Sequence, residues 1–181
     1  MPRITYTVPA GGWTNWEDLP GLFLLGPPGF DLAGVDEGGS DYIGIYSSVV
    51  AANTDCSESE QPGVVQTAAA LAAEFAQRRG LTTTTPKPVS VGGLQGVVLD
   101  MRLADGWKKP CFYSGGDPVV PVLRGVGNSS GVDHPIGPGF MMRLYLADFS
   151  GRTLAIELGD NSGGTHSDTY SAIVTQLHFG S

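Results

Sequence analysis

Basic residues are scarce in this 181-residue sequence, which carries 10 Lys and Arg against 18 Asp and Glu and a formal net charge of -8. Phosphate backbones are held by clustered Lys and Arg, so this balance argues against a nucleic-acid partner. The deficit is uneven: Met1 to Glu60 holds nine acids and Arg3 as its single base, whereas Gln61 to Ser181 holds nine of each. An acidic N-terminal third reads as a solvated surface that aids solubility. Long apolar runs are also missing, and no stretch approaches the roughly 20 residues of a membrane-spanning helix. The N-terminus has neither the basic nor the apolar region of a signal peptide. The segment is therefore not expected to insert into a membrane. It is either cytosolic or the mature part of a longer exported protein, whose membrane tether would lie outside it.

Cysteine is nearly absent, with Cys56 and Cys111 alone and no CxxC or Cys/His spacing. That excludes the common structural zinc patterns. Two isolated cysteines in loops fit one disulfide and an oxidising compartment, and two unpaired thiols remain the alternative. Charged residues, at 15%, fall below the roughly 25% of an average globular protein. What is abundant is glycine, 27 residues, with 13 prolines. They fall between clean periodic segments and read as the turns and long loops of one β-rich domain spanning residues 1–181.

Period-two alternation marks the strands. Ile4 to Val8 alternates first, Trp13 and Trp16 sit in a short loop, and Leu22 to Leu25 is a short buried strand. Tyr42 to Ala51 is a strong strand. Val89 and Val91 lead to a turn at Gly92-Gly93, and Val97 to Ala104 leave it with Val97, Leu99, Met101 and Leu103 on one face and Asp100 and Arg102 on the other. Phe140 to Phe149 and Leu154 to Leu158 form a hairpin about Ser150-Gly151, with Arg143 and Tyr145 opposite Met142 and Leu144, and Glu157 pointing away from its leucines. Pro86 and Pro88 place their segment at an edge or a bulge.

Helical spacing occurs twice. Ala68, Leu71, Ala72 and Phe75 follow the i, i+3, i+4, i+7 rule between a Thr67 N-cap and a Gly80 C-cap, with Arg78 and Arg79 complementing the helix dipole. His166 to Leu177 reads as a second helix, capped by Thr165 or Ser167. Between the hairpins lies a long insertion, residues 105–138, with one strand expected at Val119 to Val126. Strands in hairpins with few helices indicate an α+β domain, a central antiparallel sheet with two main helices packed on it.

Three stretches carry a resemblance: Tyr6-Thr7-Val8-Pro9-Ala10-Gly11-Gly12-Trp13, Val91-Gly92-Gly93-Leu94-Gln95-Gly96-Val97-Val98-Leu99-Asp100, and Met142-Arg143-Leu144-Tyr145. With the element order they resemble exported proteins of high-GC Gram-positive bacteria with a PsbP-like fold, a group that includes small lipoproteins. The resemblance implies an α/β/α sandwich, an extracytoplasmic location and a role in binding or assembly.

Several constellations could carry chemistry. Gly127-Asn128-Ser129-Ser130-Gly131 matches GxSxG, but the nucleophile of that motif is presented by a following helix, which Pro135, Gly137, Pro138 and Gly139 forbid. It is read as a turn, and its Asn128-Ser129-Ser130 is a glycosylation sequon. Asp133-His134 and the run Asp160 to Asp168 bring His and Asp together, as a general base or a metal site would. The remaining candidate is a charged sheet face of Asp100, Arg102, Arg143, Tyr145 and Glu157, forming either a cross-strand ladder or the floor of a groove roofed by the long loop, with Trp107, Tyr113 and His134 contributing.

The reading is thus a non-enzymatic extracytoplasmic module that recognises a protein or small ligand through that face and loop, with Cys56 and Cys111 tethering two loops. No catalytic residue, metal or cofactor is expected. The alternative function is a hydrolase or metal-dependent enzyme using His134 or His166 with a nearby Asp, and the alternative location, independent of it, is cytoplasmic.

Overall fold

The computed structural model of the chain describes residues 3–5, 7–31, 40–129 and 133–180. Strands β1 (Arg3–Thr5), β2 (Thr14–Leu19), β3 (Leu22–Gly26), β4 (Tyr42–Tyr46) and β5 (Val49–Ala51) precede helix α1 (Ala68–Gln77). There follow β6 (Leu81–Thr83), β7 (Lys87–Val91), β8 (Leu94–Leu103), β9 (Val120–Gly125), β10 (Asp133–Ile136), β11 (Met141–Phe149) and β12 (Arg152–Asp160). Helix α2 (Ser167–Val174) and β13 (His178–Gly180) close the chain. The fold is α+β, and no described helix is long and apolar enough to cross a membrane.

The central sheet is antiparallel, in the order β2-β3-β4-β12-β11-β8, with β6 and β7 placed one after the other along the outer edge of β8. Two tight turns set its register. Gly92 and Gly93 both take positive φ, 59° and 86°, and pair Val91 with Leu94, as a two-residue hairpin turn requires. Ser150 and Gly151, at 53° and 74°, do the same for β11 and β12. Pro88 lies on β7, which among the described strands pairs only with β8, consistent with proline at a sheet edge.

Both faces of this sheet are covered. On one, Leu99, Met101, Met142, Leu144 and Leu146 pack against Leu71, Ala72 and Phe75 of α1 and against Val122, Leu123 and Ile136 of a small sheet, β10-β9-β5. On the other, Ile43, Ile45, Tyr145, Ile156 and Leu158 pack against Tyr170, Val174 and Leu177. Burying a side chain such as Leu144 or Phe75 contributes about 1.5–3 kcal/mol each, so the two helices are held chiefly by these contacts.

Several expectations change. Tyr42 to Ala51 is two strands: the chain breaks at Ser47 and Ser48, and β5 leaves the main sheet for the small one. Trp16 lies in β2, not in a loop. The segment 105–138 holds two described strands where one was expected, and β9 pairs with β10 on one side and with β5 on the other. Thr67 caps α1, accepting from the Ala70 N–H at 3.3 Å, and Gly80 follows at φ 90°. By contrast α2 is shorter than expected, and neither Thr165 nor Ser167 caps it. Tyr6, in the expected first strand, lies outside the described residues, as do Ser130 and Gly131.

Cys56 and Cys111 form a disulfide, with Cα atoms 5.5 Å apart. It joins the acidic loop after β5 to the long segment before β9 and packs on Val119. The bond fits an exported protein in an oxidising compartment.

Candidate functional site

The residues proposed for the charged face and its groove separate into three places. Asp100 and Arg143 stand directly opposite each other on β8 and β11, and the guanidinium grips the carboxylate at 2.6 and 3.0 Å. Arg143 also reaches Asp168 at 2.7 Å and Ser171 at 2.9 Å, while the Tyr145 hydroxyl donates to Ser171 at 2.9 Å. The Asp100 hydrogen bonds foremost hold the Arg143 guanidinium well above its ordinary pKa, against the opposing effect of burial. This group fastens α2 to the sheet, so the face is roofed by a helix and not by the long loop. Arg102 is exposed on the same face.

Glu157 is on the opposite face, paired with Leu144 and Gly44. It is fully buried. Its carboxylate accepts from the Tyr42 hydroxyl at 2.6 Å and bonds His134 Nδ1. Glycines make the room: a Cβ on Gly159 would fall 2.4 Å from the Tyr42 ring, and one on Gly44 would fall 2.0 Å from the Tyr46 hydroxyl. Burial first, and the Glu157 charge second, push the Tyr46 hydroxyl well above its ordinary pKa, so it stays protonated. His134 lies edge-on to both tyrosines, with centroids 6.0 and 5.2 Å away.

The rings of His134 and His166 each have a carboxylate partner, but neither partner is the neighbouring Asp suggested by the sequence. Asp133 turns to Arg124, at 2.6 and 2.8 Å. The recess beside His134, shared with Tyr113 and Asp133, holds only about 10 Å³, too little for a substrate. His166 Nδ1 meets Asp41 at 2.7 Å and the Ser162 hydroxyl at 2.9 Å. A catalytic triad needs serine and carboxylate on opposite ring nitrogens, whereas here both sit at Nδ1. Asp41, Asp160 and His166 place one possible ligand atom each within 4.8 Å of one another. Their hydrogen bonds already account for the arrangement: Asp41 accepts from Tyr170 and Asn161, and Asp160 accepts from the Ser162 hydroxyl and N–H, the His166 N–H and the Ser167 hydroxyl.

Asp160 is the side chain that organises the start of α2. Burial alone would raise its pKa, but the hydrogen bonds from Ser162, His166 and Gly164 outweigh burial and hold the carboxyl below its ordinary value. A carboxylate lowered by folding adds stability above its unfolded pKa of about 4, and loses it as pH falls through the folded value. Asp160→Asn is expected to cost about 1–2 kcal/mol at pH 7, as loss of a helix cap does. The gap should close as pH falls below about 4. Urea midpoints across that range check this, and parallel curves for the two proteins would refute it.

The GxSxG serine has a structural role. Ser129 is buried, donates to the Gly21 carbonyl at 2.6 Å and accepts from the Ser48 N–H at 3.3 Å. It pins the β2–β3 turn to the break between β4 and β5.

The remaining candidates lie along the long segment. Tyr113 is exposed at its tip, edge-on to Phe112 at 5.1 Å. Trp107 packs over Gly80, where a Cβ would fall 2.7 Å from the ring, and its Nε1–H donates to the Val119 carbonyl at 3.1 Å. It walls a cleft of about 360 Å³ between the end of α1, the disulfide and β9, with Gln77, Arg78, Arg79, Lys109 and Val120 among the lining residues. Sequence reasoning missed this site except for Trp107. Its available signal was a basic pair, Arg78-Arg79, followed by a second, Lys108-Lys109, in a chain poor in bases.

No family model matches the chain, and no curated protein matches it. Among solved structures it is similar to LpqN, a protein involved in cell envelope biogenesis of Mycobacterium tuberculosis, with 13% identity, a TM-score of 0.47, and coverage of 100% of this chain and 85% of that one.

Proposed function

We propose that this chain is a non-enzymatic binding domain that works outside the cytoplasm and takes a small ligand in the cleft beside Trp107. The observation that carries this reading is the cleft itself, about 360 Å³, within the range of about 300–1,000 Å³ for small-molecule sites. The long segment supplies one wall and the disulfide holds that wall to the loop after β5, which supports both a preformed site and an oxidising location. Binding is favoured over catalysis because neither histidine–carboxylate pair lines the cleft, and Glu74, the one lining carboxylate among the described residues, is engaged by Arg78 at 3.2 Å. The finer description of the fold, a PsbP-like sandwich, belongs to the same proposal. A helix on each face of the antiparallel sheet supports it.

Amide-shift mapping tests the site with two probes, 1-naphthalenemethanol and 1-naphthyl phosphate. At least one should bind with Kd below about 1 mM, shifting Gln77, Arg79, Val120 and the Trp107 indole while Arg102 and Ser171 stay still. Saturable shifts confined to Arg102 and Ser171, or none with either probe, would overturn the assignment.

A further inference from the structure

The chain has few bases, and three of them, Arg78, Arg79 and Lys109, line this one cleft, against a single lining carboxylate among the described residues. A helix C-terminus is a sufficient reason for one or two cations, since it presents about half a negative charge. That accounts for part of Arg78 and Arg79 and none of Lys109, which arrives from the long segment. Glu74 offsets Arg78, to which it is bonded at 3.2 Å. Asp55 lies outside the lining residues. Its carboxyl is held below its ordinary pKa mainly by Ser57, with the Lys109 ammonium adding to the effect. Lys109 donates to the Thr54 carbonyl at 3.0 Å, a neutral partner that leaves its charge in place. The cleft therefore keeps a positive balance inside an acidic protein.

Arg78 adds an independent observation. Its side chain is buried, and its Nε is a buried nitrogen with no hydrogen-bond partner among the described residues. An unpaired buried donor on a charged group is costly, and here it belongs to a residue that lines the cleft. Nε is screened from solvent, so direct contacts to a ligand fall to Arg79 and Lys109. The other walls are apolar: Trp107, Val119, Val120 and Pro121.

Resting on the cleft as the binding site, we propose that its ligand is a small amphipathic anion. A phosphate or carboxylate head meets Arg79 and Lys109, and a flat apolar body lies against Trp107 and Val120. Arginine favours such planar oxyanion heads, and a largely apolar pocket with a few convergent polar groups is the usual form of a small-molecule site.

Calorimetric titration with three probes of one shape tests the ligand class: 1-naphthyl phosphate, 1-naphthoate and the neutral 1-naphthalenemethanol. Both anions should bind at least about 10-fold more tightly than the alcohol, as one or two charge-assisted hydrogen bonds provide. The double variant Arg79→Gln, Lys109→Gln should lose about 10-fold for the anions and stay within about 2-fold for the alcohol. Both residues are exposed, and an unchanged thermal midpoint will show that the variant folds. Either order of affinity between phosphate and carboxylate supports the proposal and names the head group. If the alcohol binds as tightly as the anions and the variant changes nothing, the anionic class is refuted while the cleft remains a binding site. If no probe binds, both readings fall.

Discussion

Replacing Arg78 with methionine is expected to lower the unfolding free energy by about 2–4 kcal/mol, because buried carbonyls lose their side-chain donor at about 1–3 kcal/mol each. Arg78 ends α1, and its side chain is fully buried. Nη1 donates to the carbonyls of Pro121 at 2.6 Å, Ala52 at 2.9 Å and Val122 at 3.4 Å, and Nη2 bonds Glu74. The need for a side-chain donor arises in the sequence. Pro121 pairs with Pro135 across the small sheet, beside a register shift between His134 and Pro135. Neither proline has an N–H to donate, so the Pro121 carbonyl is satisfied by Arg78. Methionine matches the stem and its packing on Phe75, whose ring centroid lies 5.1 Å from the guanidinium carbon, but takes the side-chain donor from the Pro121 and Ala52 carbonyls, while the Val122 carbonyl keeps the Ala52 N–H at 2.9 Å. Glu74→Gln should cost less than about 1 kcal/mol, because that partner is partly solvated. Urea unfolding with an unchanged m-value measures both. A loss below about 1 kcal/mol for the methionine variant would show that the carbonyls find other donors.

The difference between Arg78 and Arg79 shows what could be read from the sequence and what could not. Helical spacing located α1, its Thr67 cap and Gly80, because these depend on residues within a turn or two of each other. The same spacing made the two arginines equivalent, although one is buried and the other exposed. The carbonyls that distinguish them come from Ala52 and Pro121, and no local pattern contains them. Glu157 is a different case. Alternation correctly turned it away from Leu154, Ile156 and Leu158, but the less apolar register was taken as one continuous face. A sheet covered on both sides has no solvent register to follow. The two-residue turn at Ser150-Gly151 held the answer: it pairs Phe149 with Arg152, which puts Leu144 opposite Glu157 and Arg143 opposite Leu158. The histidine partners were beyond reach, since Glu157 lies 23 residues from His134 and Asp41 lies 125 from His166. The signals at hand were Gly44 and Gly159, glycines inside strands, which often mark a close approach by another group.

That close approach leads to the second large effect, at His134. Glu157 stands in the middle of the main sheet with the Tyr42 hydroxyl and His134 as its hydrogen-bonding side chains. His134→Ala removes one and leaves a buried carboxylate underpaired, so it is expected to cost about 3–5 kcal/mol. Glu157→Leu alone should cost less, because the buried charge leaves with the side chain, although the Tyr42 hydroxyl then loses its acceptor. The double variant His134→Ala, Glu157→Leu is the informative one. An apolar residue in place of a buried pair is often neutral or stabilising, so it should be at least about 2 kcal/mol more stable than His134→Ala. Recovery of that size, read from urea midpoints, would identify the pair as an electrostatic constraint between β12 and β10. If the double variant is instead as unstable as the sum of the two single ones, His134 acts through its ring packing on Tyr42 and Tyr46, and the charge on Glu157 is held by the tyrosine alone.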